Sequence, residues 1–359
     1  MLVNWNVPRV DAIPDNRQSP DYYLKNGDYW FFKHFREKPE VDIIDVKGSG
    51  LLDYIERKVF HVHIIQGIKA ILKMHKYDLV ISHGMTSGIV LAAFRTLFHI
   101  KKPKHLVFDI GCFNSAAESG FLMRILQRAS KSIDAVIYHT KCQREYYEKY
   151  YPWILKRSRF IFYGTNIEEF VSSQNEEKEG DILCIGYVRR DWDTLVKAYS
   201  KLVTDKKLKI VGHVSDEYKA IPGVEQFPVV SIDKLKLMIE SAYFCVLPLE
   251  AMRYSYGQMT LLQQMAMEKC VIAADVPSLE GYVEDGKTAL LYRPNDVEDL
   301  KNKMEYALKH PDDVRRIGYN ARKVLAERCN EQIMAQEIED YIRFVMMETD
   351  SIERYKMHN

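Results

Sequence analysis

Residues 255–275 have the sequence SYGQMTLLQQMAMEKCVIAAD, and this stretch decides the fold. We interpret it as a loop that turns at Gly257, one amphipathic helix and a buried strand. Glycine lets the backbone come close to a ligand, because a side-chain Cβ there would obstruct the approach. The amides of residues 257–260 begin the helix and lack acceptors within it, so they can bind an anion. The stretch therefore predicts a helix N-terminus that binds phosphate.

The rest of the chain repeats the alternation of short apolar runs and helical periodicity that is typical of parallel α/β structure. In the first half we expect strands at residues 1–5, 41–46, 79–82, 105–108, 135–138 and 159–162, with helices such as 64–74, 87–98 and 120–132. In the second half we expect strands at residues 182–185, 208–211, 226–228, 244–247, 271–274 and 289–292. A polar, glutamate-rich segment at residues 172–180 separates the two halves. A long amphipathic helix is expected from residue 330 to about residue 347.

Composition excludes several classes of protein. The chain is 47% hydrophobic and 28% charged, which is typical of a soluble globular protein. Its 359 residues are too many for one core. No window has the uninterrupted apolar residues of a membrane span, and the first residues lack the pattern of a secretory signal. The six cysteines include no Cys-x-x-Cys pair, which favours reduced thiols in a cytosol.

The charge is divided unevenly along the chain. Residues 1–166 carry 25 Lys and Arg against 16 Asp and Glu, or +9, whereas residues 167–359 carry 26 against 34, or −8. The halves could attract each other across a cleft, or the basic half could face an anionic acceptor or an acidic membrane surface. The aromatic cluster at residues 146–153 is interpreted as a packed helix end, with membrane contact as the alternative. Scattered basic residues without an organised aromatic-basic motif argue against a nucleic-acid partner.

Five segments in combination resemble the retaining glycosyltransferases of family four, the glycosyl transferases group 1. Residues 255–275 resemble the family's Glu-x7-Glu motif and the strand that follows it, with Ser255 and Gln263 in place of the two Glu. Residues 78–84 resemble the family's strand that ends in His-Gly, and residues 162–170 resemble its turn at the domain junction. Residues 185–195 resemble its phosphate loop, and residues 281–296 resemble its closing segment. The resemblance is good from about residue 78 onward.

The resemblance implies an α/β protein of the GT-B fold, with two Rossmann-like doubly wound domains and a cleft between them. We predict an N-terminal, acceptor-side domain at residues 1–168 and a domain that binds the nucleotide sugar at residues 169–335. A C-terminal helix at residues 336–359 is expected to pack back toward the N-terminal domain. Ligands of such sheets bind outside the carboxyl ends of the strands, so the loops after those strands should carry the site.

The resemblance also implies a diphosphate site made of cations and a helix N-terminus. The departing diphosphate gains negative charge, which fixed positive groups stabilise in a dry cleft. Arg190 lies about where the family's phosphate-binding Lys lies, and Arg189 is the neighbouring candidate. The backbone of Gly257, Gln258 and Met259 would bind the same diphosphate. The alternative is that both arginines are solvated loop charges.

The positions that would bind donor hydroxyls differ from the family pattern. Gln263, eight residues after Ser255, would bind the ribose through one carbonyl oxygen where the family has a carboxylate. Ser255 would contact the hexose without a charge, and Glu250 is an alternative carboxylate for the same hydroxyls. Val229 and Val230 would lie near the base. The loss of both carboxylates leaves open whether the protein still transfers a sugar.

Three residues of the first half are candidates on the sugar or acceptor side. Asp109 ends a predicted strand, where the family often has a His that faces the donor sugar. It could bind the sugar, act as a base or cap the next turn, and we group it with Arg190 and Ser255 as a catalytic candidate. His83 also ends a strand and is either a cleft residue or a structural one. Gly27 precedes a predicted helix at residues 28–35 and is a candidate cleft residue.

Two patterns that suggest a metal site have simpler explanations. Asp191-Trp-Asp193 has the form of the Asp-x-Asp metal motif, but it precedes a predicted helix at residues 194–201, where Asp is favoured by capping and the helix dipole. The histidines at positions 61, 63 and 75 lack companion carboxylates at ligand spacing. We therefore expect no metal and no cofactor.

Together with these patterns, the resemblance implies a retaining, metal-independent hexosyltransferase. It would move a hexose from a GDP- or UDP-sugar to a hydroxyl of a glycan, glycolipid or glycoprotein. Two alternatives stay open: a nucleotide-sugar-binding protein with impaired catalysis, and a sugar-nucleotide epimerase on the same fold. We expect a cytoplasmic protein without a nucleic-acid partner, and leave open a peripheral membrane contact and a homodimer.

Overall fold

The structure is a computed structural model that describes residues 1–46, 56, 62–111, 118–172, 180–252 and 254–357. His61, Cys112 and most of the segment at residues 172–180 lie outside this part. The chain divides into two compact units. The first comprises Met1–Ile161, Arg253–Ser255 and Met334–Asn359, and the second comprises Phe162–Met252 and Tyr256–Ile333. The main boundary therefore falls a few residues before the predicted one.

The first unit is built on a parallel sheet. A short parallel pair comes first, β1 (Arg9–Val10) with β2 (Tyr23–Leu24). The four-stranded sheet follows, with its strands side by side in chain order: β3 (Leu79–His83), β4 (Lys104–Asp109), β5 (Ala135–Tyr138) and β6 (Ser158–Phe160). All of its pairings are parallel, which places the carboxyl ends of β3, β4 and β5 at one edge.

Helices alternate with these strands, as the apolar periodicity predicts. They are α1 (Ile64–Lys73), α2 (Met85–Leu97), α3 (Phe121–Ser130), α4 (Gln143–Tyr150) and α5 (Pro152–Leu155). Within the aromatic cluster at residues 146–153, Tyr147 and Tyr151 are fully buried in the core of the unit. The expectation of a packed helix end is confirmed for these two side chains.

Two predicted strands of the first unit do not form. Residues 1–5 and 41–46 make only isolated parallel bridges, from Leu2 to Ile44 and from Leu2 to Ser82. The side-chain amide of Gln66 donates to the Val3 carbonyl at 2.7 Å and to the Ile44 carbonyl at 2.6 Å. The Ile44 carbonyl also accepts from the Val3 amide at 3.2 Å, so Gln66 bonds to both segments beside their single bridge.

The predicted helix at residues 28–35 is shorter than expected. A 3₁₀ helix, Trp30–His34, takes its place. Tyr29, Phe31 and Phe32 are buried, so this turn anchors itself with aromatic side chains.

The second unit contains a six-stranded parallel sheet. Its strands are β7 (Ile182–Ile185), β8 (Leu208–Val211), β9 (Val224–Phe227), β10 (Phe244–Leu247), β11 (Val271–Ala274) and β12 (Leu290–Tyr292). Across the sheet they lie in the order β12, β11, β10, β7, β8, β9. The order reverses between β7 and β10, which is where sheets of this kind bind ligands.

Seven α-helices of the described chain follow β7. They are α6 (Trp192–Ser200), α7 (Asp216–Lys219), α8 (Ile232–Ser241), α9 (Gln258–Ala266), α10 (Val297–Lys309), α11 (Pro311–Arg328) and α12 (Glu331–Met357). The strands β7, β10 and β11 are wholly buried, since helices cover both faces of a parallel sheet. Among the described residues, we find no helix with the length and apolar character needed to span a bilayer.

The long helix α12 is fixed to the first unit by the carboxylate of Glu339. Glu339 is 3% exposed and accepts from the Arg36 amide at 2.9 Å and from Arg343 Nη2 at 2.8 Å. Burial alone would raise the pKa of Glu339, but the hydrogen bonds from Arg36 and Arg343 outweigh it and lower the pKa to about 2. The ionised form therefore holds the helix to the segment that follows the 3₁₀ helix.

We predict that Glu339→Gln lowers the free energy of unfolding by about 1.5–3 kcal/mol, the usual range for hydrogen bonds to a charged group. Because the folded pKa is lowered, the stabilisation is present above the ordinary value of 4.5 and is lost as the pH falls toward 2. Denaturant unfolding between pH 7 and pH 3 would measure both effects. Glu337→Gln on the exposed face of α12 is the control, and an equal loss in the two variants would contradict the assignment.

Gly257 is required at the start of α9 for two reasons. Its φ of +83° lies in the left-handed region, and a Cβ built there would be 2.7 Å from Leu249 Cδ1. Gly286 shares the first constraint, with φ +69°, but has no atom within 4 Å of its Cβ position. Comparing substitutions at the two glycines therefore distinguishes the cost of backbone strain from the cost of side-chain crowding.

Gly286→Ala should cost about 1–2 kcal/mol, because only the left-handed conformation is penalised. Gly257→Ala should cost about 2–5 kcal/mol, since crowding against Leu249 adds to the strain. Denaturant unfolding of the two variants gives the comparison. Equal losses of unfolding free energy in the two variants would mean that the Leu249 side chain moves away from the added Cβ at no energetic cost.

Candidate functional site

The candidate site of the second unit lies where two neighbouring strands end. β7 and β10 pair in parallel, with Cys184 beside Val246. The loop after β7 and helix α9 after β10 therefore emerge at the same edge of the sheet. An antiparallel bridge between Arg190 and Leu249 joins the two connections directly.

Arg190 is the central side chain of this edge. It is only 8% exposed, so the interpretation as a solvated loop charge does not hold for it. Its Nε donates to the Ile185 carbonyl at 3.2 Å and its Nη1 donates to the Val188 carbonyl at 3.1 Å. Its Nη2 donates to the hydroxyl of Thr260 at 3.3 Å, in the first turn of α9. The guanidinium thus lies beside the helix N-terminus that the sequence singled out.

Two neighbours of Arg190 were not singled out by the sequence. A Cβ at Gly186 would be 2.2 Å from Arg190 Nε, so only glycine leaves room for the guanidinium there. The ring of Tyr256 lies under the guanidinium, with Arg190 Cζ 5.5 Å from the ring centroid. Cation–π contact and hydrogen bonding together fix the cation in one position. An aromatic residue directly before Gly257 was the only signal that could have pointed to Tyr256.

Arg189 is placed differently from Arg190. It adopts φ +54° and its side chain is half-exposed. Its Nη1 lies 3.4 Å from Glu250 Oε2 in an ion pair that links the loop after β7 to the segment after β10. Glu250, the alternative carboxylate of the sequence, is therefore engaged with one of the two candidate cations.

The first turn of α9 presents its backbone rather than the side chain of Gln258. Gln258 Nε2 donates to the Ser278 carbonyl at 2.7 Å, and the residue is 3% exposed. Met259 is 40% exposed. The helix dipole makes the N-terminus of α9 favourable for negative charge.

The other predicted donor contacts lie farther along the same unit. Gln263 is on α9 and 4% exposed. Val229 is 77% exposed and Val230 packs partly against the core, and both follow β9 at the sheet edge. β9 is two strands from β7, a spacing of about 10 Å. This is a suitable separation for two ends of one extended ligand.

Asp191 and Asp193 have structural partners. Asp191 caps α6 by accepting from the Thr194 amide at 3.0 Å, as predicted. Asp193 pairs with Lys197 at 2.7 Å and accepts from the Tyr218 hydroxyl at 3.1 Å. Among the residues that the structure describes, no three His, Cys, Asp or Glu side chains are grouped as metal ligands.

Asp109 lies at the carboxyl edge of the first unit's sheet and is fully buried. Its Oδ1 accepts from the Gly111 amide at 2.9 Å, and its Oδ2 accepts from Gln143 at 2.9 Å and from the Tyr147 hydroxyl at 2.5 Å. These bonds correspond to the expectation of a carboxylate that holds the next turn. Burial and the Asp109 carboxylate both raise the pKa of Tyr147, which stays a donor. The spacing of Gln143 and Tyr147, one helical turn apart, was the available signal.

His83 lies at the same edge, surrounded by aromatic rings. Its ring centroid is 4.8 Å from that of Trp5 and 5.5 Å from that of Trp30. Burial lowers the pKa of His83 to about 3, so the imidazole is neutral near pH 7. Its buried Nδ1 has no hydrogen-bond partner among the described residues.

The two remaining candidates lie outside the sheets. Gly27 is in a turn with φ +94°, where its amide donates to the Leu24 carbonyl. Ser255 is half-buried and belongs to the short segment that groups with the first unit.

Part of the sequence matches a known family. Residues 179–310 match the model of the glycosyl transferases group 1, and this segment contains Arg190, α9 and the loop after β9. The sequence has no match among curated proteins.

Solved structures share the fold over nearly the whole chain. Sucrose-phosphate synthase from Thermosynechococcus elongatus is 19% identical, with a TM-score of 0.69 over 91% of this chain and 89% of that one. HepE from Anabaena, in complex with UDP and glucose, is 14% identical, with a TM-score of 0.69 over 95% of this chain and 100% of that one. A glycosyltransferase from Rickettsia africae is 14% identical, with a TM-score of 0.64 over 96% and 99%. The chain therefore shares the GT-B fold of these structures, and residues 179–310 match the glycosyl transferases group 1 model.

Proposed function

We propose that the protein transfers a hexose from a nucleoside diphosphate sugar to a hydroxyl acceptor. The observation that carries this proposal is the buried guanidinium of Arg190 beside the first turn of α9, bonded to Thr260. A fixed cation and a helix N-terminus at one point form a site for a diphosphate. The HepE structure, which holds UDP and glucose on the same fold, supports a donor of this class.

In the proposed reaction, the bond between the sugar's anomeric carbon and the diphosphate oxygen breaks while a bond to the acceptor oxygen forms. The acceptor's proton passes to the departing phosphate oxygen on the same face, which retains the anomeric configuration. Negative charge grows on the diphosphate, and Arg190 with the amides of Gly257, Gln258 and Met259 stabilises it without reorganisation. These groups supply the positive charge, so we propose that no metal ion is needed.

Recognition of the donor's hydroxyls differs from the family pattern in our proposal. Gln263 binds the ribose with one carbonyl oxygen, Ser255 contacts the hexose, and Val229 and Val230 flank the base. Donor binding in this proposal also breaks the ion pair between Arg189 and Glu250. A bound phosphate competes for Arg189, and this frees the Glu250 carboxylate for a sugar hydroxyl.

On the first unit, we propose different roles for Asp109 and His83. Both oxygens of Asp109 are already hydrogen-bonded, so it acts as a positioning residue for the turn at Gly111. His83 is neutral near pH 7, and we propose it as a cleft residue on the sugar or acceptor side. A general base at Asp109 is not part of this mechanism. Gly27 stays a candidate on the acceptor side.

Calorimetry with UDP-, GDP- and ADP-sugars tests donor binding and identifies the base. We expect one of the three to bind, and Arg190→Ala to weaken it by about 1.5–3 kcal/mol, as for a charged hydrogen bond. Arg190→Lys keeps the charge but loses the bidentate geometry. Its affinity for the donor should therefore lie between the affinities of the native protein and of Arg190→Ala. Arg315→Ala, on the exposed side of α11, is the control.

Binding without turnover would favour the alternative of a nucleotide-sugar-binding protein with impaired catalysis. Release of nucleoside diphosphate with a hydroxyl acceptor would favour transfer, and interconversion of sugar nucleotides without an acceptor would favour an epimerase. No binding by any of the three donors would refute the proposal. Unchanged affinity in Arg190→Ala would remove Arg190 from the site.

We further propose a cytoplasmic protein that acts on a lipid-linked or glycan acceptor and contacts an anionic membrane surface. The exposed face of α3 carries Phe121, 79% exposed, and Ile125, 36% exposed. Arg124 and Arg128 lie on the same face and form no ion pair among the described residues. A helix with apolar and basic residues on its free face suits a membrane interface.

The five described cysteines are buried free thiols, which supports a reducing compartment.

Vesicle co-sedimentation tests the membrane contact. Vesicles with anionic lipid should bind the protein, and rising salt should weaken the binding. Phe121→Ser should reduce the affinity by about 1.5–3 kcal/mol, roughly ten- to a hundredfold. Phe344→Ser removes another exposed Phe from α12 and serves as the control. Equal binding to neutral and anionic vesicles, or equal loss in both variants, would exclude α3 as the contact.

A further inference from the structure

A cavity of ≈580 Å³ lies in the first unit, and all of its lining residues belong to that unit. It opens at the amino end of β3, where Asp78 and Leu79 contribute to its wall. Its lining continues along β3 to Ile81, which is two residues, or about 7 Å of extended chain, before His83. Neither His83 nor Asp109 is among the residues that line the cavity.

The walls of the cavity are mainly apolar and come from four parts of the unit. The side chains that define it are Phe32, Phe35, Ile44, Met74, Ile342 and Met346. Protein interiors are close-packed and seldom leave voids larger than a water molecule. A volume of this size with such a lining is in the range of small-molecule sites.

The rim of the cavity is polar and carries both signs of charge. Asp42 accepts from the Tyr77 hydroxyl at 2.5 Å and pairs with Arg9 at 3.1 Å, so its charge is already balanced. Lys73 and Lys76 also line the cavity without a hydrogen bond to another described residue, and the positive charge of Lys73 helps to lower the pKa of Asp42. A rim of this kind can hold a polar end group while the apolar walls hold a chain.

The wall contributed by α12 is held in place without a ligand. Ile342 and Met346 follow Glu339 along the helix, and the Glu339 carboxylate is bonded to Arg36. Arg36 in turn follows Phe35 of the opposite wall. The cavity therefore has two sides that are joined by ion pairs, from Arg36 to Glu339 and Asp340 and from Arg343 to Glu37, and these preserve its width.

We propose that this cavity is a binding site for an amphipathic molecule with a single alkyl chain. The chain lies along the apolar walls and the polar end group lies at the rim, near Lys73 and Lys76. This site is independent of the donor site, so occupancy does not require a bound sugar nucleotide. The sign of the end group's charge is decided by experiment.

Calorimetry with the full chain and three twelve-carbon probes tests the proposal. Dodecanoate, dodecylphosphocholine and dodecyltrimethylammonium share the chain and differ in the end group, and each is used below its micelle concentration. We expect saturable binding of at least one probe with a stoichiometry of one. Preference for dodecanoate would assign the rim lysines as the head-group contact.

A pair of adjacent substitutions locates the binding. Met346→Trp puts a larger side chain into the cavity and should weaken the probe at least tenfold. Met347→Trp makes the same change at the next residue, which is 65% exposed and outside the lining, and should leave the affinity unchanged. Met74→Trp, from the opposite wall, is the second variant if the first does not fold.

Absence of saturable binding by all three probes would overturn the proposal, as would equal loss in the Met346 and Met347 variants. Donor binding provides the separate readout. The Met346 variant should bind a sugar nucleotide as the native protein does, so failure of the donor site and failure of this cavity are distinguishable.

Discussion

The contact between Arg190 and the first turn of α9 is the constraint on which the second unit's chemistry depends. It exists because β7 and β10, which are far apart in the sequence, are neighbours in the sheet. Glycine at position 186 leaves room for the guanidinium, and glycine at position 257 lets the helix begin against Leu249. Substitution of either glycine would move one half of the contact away from the other. The proposed phosphate site is therefore a property of strand order as much as of its residues.

The sequence predicts the buried parallel strands well, and it does so for a physical reason. Strands 135–138, 182–185, 208–211, 244–247 and 271–274 match their predicted bounds, because short, mainly apolar runs between turns have few other solutions. The failures lie at the start of the chain. There, Gln66 satisfies two carbonyls from outside the local sequence, and no periodicity reveals a partner that is more than twenty residues away.

The residues of the candidate site also divide into those that the sequence predicts and those that it does not. Residues that belong to one continuous stretch, such as Gly257 with the amides of α9, could be predicted because helix termini have local signatures. The partners of Arg190 and Asp109 could not, because Tyr256, Thr260, Gln143 and Tyr147 reach them from other elements. The sequence placed Asp109 correctly at a strand end. Its hydrogen bonds, which argue for a positioning role, required the strand order and the packing of α4.

The route of the chain has a consequence for how the protein is made. The first unit includes Met1–Ile161 and also the final helix, and the Arg36–Glu339 contact joins residues 303 positions apart. During synthesis, the amino-terminal part emerges long before the segment that completes it, while the second unit is made in between. Domains usually fold as units as they emerge, and long-range contacts are the slow ones. The second unit can therefore finish folding first, although it begins later in the sequence.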